Sequence, residues 1–240
     1  SGDVEPYIYQ GTTYGYSQGG QSANRIEKYQ FVASGNSTLV GTLATNRDSA
    51  GGLTSKTKGY AVGGYLAPTQ QDDIWAYSFV SDGNATNVAD MSAIRLQPGG
   101  STDTVNGYIM CGSAAGTITG VDKFVYATEA NSTEIGDMTV GGQRAGGNSS
   151  LTYGYATGGA SPSYNVIDKF NFSGSFTSTD VGNLVHGNRG GIGGSSSTTY
   201  GYTSGGSPQV NEITKFSFSS DGDSTDVGNL TVTKQYSGGT

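Results

Sequence analysis

One repeat, met five times, constrains this chain more than any other feature. The phrase Thr13-Tyr14-Gly15-Tyr16-Ser17-Gln18-Gly19-Gly20 returns as Lys58-Gly59-Tyr60-Ala61-Val62-Gly63-Gly64 and Asn106-Gly107-Tyr108-Ile109-Met110-Cys111-Gly112. It returns again as Tyr153-Gly154-Tyr155-Ala156-Thr157-Gly158-Gly159 and Tyr200-Gly201-Tyr202-Thr203-Ser204-Gly205-Gly206. The second Tyr falls at positions 16, 60, 108, 155 and 202, spacings of 44, 48, 47 and 47. Each copy is followed by an alternating segment, Ile26-Glu27-Lys28-Tyr29-Gln30-Phe31 in the first and Ile167-Asp168-Lys169-Phe170-Asn171-Phe172 in the fourth. Strict alternation makes this a strand with aromatics on one face and the Ile and Lys on the other, so both faces are to be buried. A third segment, Val40-Gly41-Thr42-Leu43 and its four later copies, comes next. A Gly-rich stretch opened by Arg47, Arg95, Arg144, Arg189 or Lys234 completes the unit.

Four short strands in a period of 40–50 residues predict one blade of a propeller. We name them a (basic, Gly-rich), b (Tyr and the Gly pair), c (Ile-x-Lys-aromatic) and d (Val-Gly-x-Leu). The first copy has b, c and d but no a, while a spare strand a stands near Lys234 to Gly239. Its pairing with the N-terminal blade would close an all-β propeller of five four-stranded blades and remove an exposed edge. Residues 1–10 are expected to be an N-terminal extension, and residues 11–240 the propeller.

Composition narrows the function. The 41 Gly and 16 Tyr come without a collagen period, and only 13% of residues are charged. The net charge of −7 disfavours a nucleic-acid partner. No apolar run reaches the roughly 18 residues of a membrane-spanning helix, so membrane insertion is not expected. The single Cys, Cys111, cannot form an internal disulfide. The first residue is Ser and no signal peptide is visible, which suggests a processed product or a segment of something longer.

The double Gly ending strand b, the aromatic in strand c and the basic opening of strand a resemble the kelch repeat over nearly the whole chain. It departs from that pattern because no repeated Trp follows strand c; Trp75 sits elsewhere. The phrases IDKF, STDVGNL and TYGYATGG resemble repeats of virion and tail-fibre proteins of marine phages, including cyanophages. That resemblance implies a virion-borne or extracellular recognition or structural module.

Catalytic chemistry finds little to stand on. Gly15-Tyr16-Ser17-Gln18-Gly19 matches a nucleophile elbow by letter, but Ser17 is a repeat position also filled by Ala61, Ile109, Ala156 and Thr203. His186 is the single His, so no catalytic residue, metal or cofactor is expected. Asp221, Asp223 and Asp226 offer oxygen ligands, and are read instead as turn formers. Blade 2 breaks the pattern: Trp75 stands where other blades have Glu27, Asp122, Asp168 and Thr214, and the preceding loop is the longest. We therefore place candidate binding residues on the face carrying the b–c and d–a loops. They are Tyr65, Gln70, Gln71 and Trp75 of blade 2, Tyr164 and Gln209 of later blades, and the basic openings Arg47, Arg95, Arg144, Arg189 and Lys234, expected as a ring about the channel mouth. The expected function is non-enzymatic recognition of a host-surface glycan or protein by a virion or extracellular module. The alternative is a structural block contacting other virion or filament subunits.

Overall fold

The computed structural model describes residues 13–20, 23–32, 35–160, 164–185 and 190–234. Each alternating segment is a strand, and no helix occurs among these residues. Blade 1 contributes Tyr14–Gln18, Arg25–Gln30 and Thr38–Thr42 as strands b, c and d. Blade 2 runs a to d as Gly51–Thr54, Lys58–Val62, Asp73–Ser78 and Thr86–Asp90. Blade 3 is Gly99–Thr102, Asn106–Met110, Gly120–Val125 and Thr133–Asp137. Blade 4 is Gly146–Ser149, Tyr153–Gly159, Tyr164–Asn171 and Ser178–Asn183. Blade 5 is Gly193–Ser196, Tyr200–Ser204, Val210–Ser217 and Thr225–Lys234. Blades 2 to 5 are antiparallel in the order a-b-c-d, and blade 1 runs b-c-d among the described residues, giving an all-β, five-bladed propeller.

Strand a lies innermost, and its glycines are required by how closely blades approach one another there. A Cβ on Gly100 would stand 2.0 Å from the Gly52 carbonyl oxygen, and one on Gly147 1.9 Å from that of Gly100. The Gly of strand d answers a different neighbour. A Cβ on Gly41 would meet the Gly83 carbonyl at 2.0 Å, where the c–d turn of blade 2 crosses the outer strand of blade 1.

Between blades the repeat builds one seam four times. Tyr60 of strand b stacks on Tyr126 and meets the edge of Phe124 in the next blade, with ring centroids 5.2 Å apart in both cases. Tyr108 does the same with Phe172 and Phe170, Tyr155 stacks on Phe218 and lies tilted against Phe216, and Tyr16 lies tilted against both Tyr77 and Phe79. Each such aromatic contributes roughly 1.5–3 kcal/mol by burial. The outer strand is tied down as well. The backbone N–H of Thr42 donates to Asn84 Oδ1, and the Thr42 carbonyl accepts from Ala85 N–H. Asp90 makes the same pair of bonds with Asn131 and Ser132, and Asn183 with Asp223 and Ser224.

The fifth seam, from blade 5 to blade 1, differs. Strand c begins with Ile26, Ile74, Val121 and Ile167, all 0% exposed, but Ile213 of blade 5 is only half-buried. Leu230 is half-buried as well, where Leu43, Met91, Met138 and Leu184 are buried. On the other side Phe31 is 49% exposed. Lys234 holds the place of Arg47 and Arg95: its carbonyl accepts from Gly206 N–H as theirs accept from Gly20 and Gly64. The expected closing strand beyond Lys234, the extension at 1–10, and the candidates His186 and Arg189 lie outside the described residues.

Candidate functional site

The d–a connections and b–c loops share one face, and backbone pairing holds them together. Asp48 bridges Tyr65, Leu96 bridges Ser113, Gln143 bridges Ala160 and Gly190 bridges Ser207. Each d–a connection is thereby pinned against the b–c loop of its own blade. The residue after each of Asp48, Leu96, Gln143 and Gly190 then takes a left-handed conformation: Ser49 at φ 57°, Gln97 at 54°, Arg144 at 65° and Gly191 at 68°. These four residues bond in sequence around the mouth. Gln97 N–H donates to the Ser49 carbonyl, Arg144 N–H to that of Gln97, and Gly191 N–H to that of Arg144. Their side chains continue the row: Gln97 Nε2 donates to Ser49 Oγ at 3.2 Å, and Arg144 Nε donates to Gln97 Oε1 at 2.6 Å. The result is a half-buried guanidinium held beside an amide and a hydroxyl at the inner rim.

This corrects the expected basic ring. Arg47 and Arg95 stand four residues before their Gly pair, whereas Arg144 stands two before its own and so takes the place of Gln97. Arg47 is 2% exposed and ion-pairs with Asp73 at 2.8 Å. Arg95 is 0% exposed. Its Nη1 donates to the carbonyls of Cys111 and Gly120, and its Nη2 to Asp122 Oδ1 at 2.6 Å. These two arginines join elements within the propeller, and Lys234 is exposed at the end of strand d of blade 5. Among the described residues, Arg144 is the basic opening that reaches the mouth.

Trp75 is also placed elsewhere than expected. In blade 3 the residue at its position, Asp122, accepts from Ser92 N–H, Ser92 Oγ and Ser132 Oγ as well as Arg95. In blade 4 Asp168 accepts from Thr139 N–H, Thr139 Oγ1 and Val140 N–H. These buried carboxylates latch strand c onto the incoming d–a connection, and burial pushes that of Asp168 above the ordinary carboxylate range. Blade 2 replaces the latch by apolar packing. Trp75 lies against the core of Ile26, Leu43, Ala61 and Tyr77. The carboxylate needed by Arg47 comes from Asp73, two residues earlier on the same strand face.

The long blade-2 loop folds into its own hairpin, Tyr65–Leu66 paired with Thr69–Gln70. Tyr65 is half-buried, and its pairing with Asp48 sets it next to Ser49 and the rim. Gln70 Nε2 donates to the Ala114 carbonyl of the blade-3 loop at 3.3 Å, tying the hairpin to its neighbour. The half-buried Gln71 donates to Thr69 inside the hairpin. Tyr164 pairs with Gly159 in blade 4, and the exposed Gln209 donates to the Thr233 carbonyl in blade 5. The structure thus brings Tyr65, Gln70 and Gln71 beside the rim and leaves Tyr164 and Gln209 on separate blades. Ser49 and Gln97 are added to the site. Their signal in the sequence is position alone, two residues before Gly51 and Gly99.

Reactive groups are absorbed by the scaffold. Cys111 is buried, and desolvation pushes its thiol up to about 12. Asp221 pairs with Lys169, Asp223 accepts from Asn183 N–H and Asp226 from Gly228 N–H, so the three acids serve separate elements.

No family model matches the sequence. No curated protein matches it either. Among solved structures, the propeller entitled "Structure of YjhT" aligns with a TM-score of 0.80 and 12% identity over 98% of this chain and 88% of that one. At that identity the likeness establishes the fold and leaves function to the site.

Proposed function

We propose that the propeller is a non-enzymatic recognition module that binds a glycan or protein on a host surface through its mouth and the blade-2 hairpin. The kelch-like repeat and the phage-like phrases point to a virion or extracellular setting. The observation that carries this reading is the row Ser49, Gln97 and Arg144. A left-handed backbone costs an L-residue roughly 1–2 kcal/mol, and Gly191 shows that the position accepts glycine. Three blades nevertheless hold a polar side chain there, joined into one rigid set of donors and acceptors. Strain retained in this way is characteristic of ligand contacts. A planar guanidinium, an amide and a nearby tyrosine suit carboxylate and hydroxyl groups on a mostly polar ligand. The test is a glycan array and a host-surface binding assay with the isolated domain and with Arg144→Ala. The reading requires a ligand retained by the wild type and lost by the variant with its melting temperature unchanged. Binding equal in both sinks it.

A further inference from the structure

The underside of the propeller, where the a–b and c–d turns lie, carries a cavity that stands apart from the recognition reading. In blade 4 the start of strand b, the end of strand c and the start of strand d enclose about 220 Å³ lined by Tyr153, Lys169, Phe170, Asn171, Thr177 and Thr179. Cross-strand register assembles the polar members: Tyr153 stands opposite Asn171, and Lys169 opposite Thr179. The walls are fixed by bonds within the protein. Lys169 Nζ donates to both carboxylate oxygens of Asp221, in the c–d turn of blade 5, at 2.7 Å. The same ammonium lies 4.9 Å from the centre of the Tyr153 ring. Asn171 donates to the Ser173 and Ser175 carbonyls and accepts from the N–H and hydroxyl of Thr177, which holds the blade-4 turn in place. Tyr153 is 37% exposed, and Thr177, Thr179 and Asp221 are exposed beside it. The scaffold does not demand this tyrosine. Blades 2 and 3 carry Lys58 and Asn106 at its place, and their seams pack the same rings. Blades 5 and 1 repeat the arrangement, with Tyr200 4.4 Å from Lys215 and Tyr14 4.3 Å from Lys28, 37% and 36% exposed.

We propose that the blade-4 cavity is a subsite for one neutral sugar ring. A pyranose presents an apolar C–H face and a rim of hydroxyls. The Tyr153 ring is the apolar platform, held in place by the cation against it. The Lys169 ammonium donates, the Asp221 carboxylate accepts, and the Thr177 and Thr179 hydroxyls do either. The charges of Lys169 and Asp221 cancel, so the site favours a hydroxyl-rich ligand over a charged one. The volume lies below the roughly 300 Å³ at which pockets for drug-sized ligands begin, which limits the occupant to a single ring. The mouth lies at the other ends of the strands, so the two sites act independently.

The experiment is saturation-transfer NMR on the full chain, with the methyl glycosides of glucose, galactose and mannose as probes. The expected result is transfer to at least one of them, with an affinity that Tyr153→Phe keeps. Tyr153→Asn places the blade-3 residue at this position and should weaken binding about ten-fold with the melting temperature unchanged. Asp221→Ala, a change on an exposed turn, should weaken the same glycoside and serves where Tyr153→Asn melts early. No transfer to any of the three probes overturns the proposal, as does wild-type affinity in both Tyr153→Asn and Asp221→Ala. Binding lost in Arg144→Ala and kept in Tyr153→Asn assigns the sugar to the mouth and overturns it as well.

Discussion

Replacing Arg95 by Met tests the account of the blade seams most sharply. Arg95 and Asp122 are both 0% exposed and lie 2.6 Å apart. In Arg95→Met the Asp122 carboxylate keeps the donors Ser92 N–H, Ser92 Oγ and Ser132 Oγ. It loses its cation, since Glu134 is an acid and Arg95 is the only base ion-paired with it among the described residues. Breaking a buried pair by removing one partner costs about 3–5 kcal/mol. The carbonyls of Cys111 and Gly120 lose a donor at the same time. At roughly 2–4 °C per kcal/mol for a domain of this size, the melting temperature should fall by roughly 6–20 °C. Thermal unfolding at pH 7, followed by circular dichroism or calorimetry, measures it. The double variant Arg95→Met/Asp122→Leu removes the orphaned charge and should melt above the single variant. A fall of under about 3 °C in Arg95→Met, or a double variant no better than the single, refutes the claim that a buried charge pair latches this seam.

Other outcomes follow from the same geometry. The Asp168 carboxyl is raised by burial, so its contribution is fully present below the unfolded carboxylate range and is lost as pH rises through its folded value. Asp168→Asn should flatten that fall in stability in denaturant melts taken across acid pH, and an unchanged pH profile would assign the dependence elsewhere. Cys111, with its thiol pushed up to about 12, should ignore a thiol reagent at pH 8 until the chain is unfolded, and prompt labelling of the native protein would contradict its burial. Gly100→Ala should destabilise the propeller by about 2 kcal/mol or more or prevent folding, because its Cβ meets the Gly52 carbonyl. Gly116→Ala, with open space around the added Cβ, should leave the melting temperature within about 2 °C, and equal effects in the two would argue against crowding at the axis.

The blades were legible in the sequence because each repeat uses the same residues for the same contacts. The two aromatics of strand c, the Tyr of strand b and the Gly pair recur in phase, and the seams they build are the ones alternation implies. What escaped was compensation between residues. Trp75 reads as a gain of binding surface until Asp73, two residues earlier, is seen to supply the carboxylate that Arg47 needs. Arg144 reads as one of five equivalent bases because its charge is more visible than its offset of two residues. Gln97 carries no chemical signal of its own; its role comes from a left-handed backbone and from Arg144 in the next blade, neither of which a single copy of the repeat displays.

Binding of the isolated domain to its surface ligand, compared between Arg144→Ala and Lys169→Ala, tests the central claim most directly. Arg144 stands at the mouth, while Lys169 stands near the opposite face, paired with the c–d turn acid Asp221. Loss of a central guanidinium contact is worth about 2 kcal/mol or more, so Arg144→Ala should weaken binding about thirty-fold with no change in melting temperature, and Lys169→Ala should bind as wild type. Full affinity in Arg144→Ala together with loss in Lys169→Ala would move the site to the other face and contradict the account.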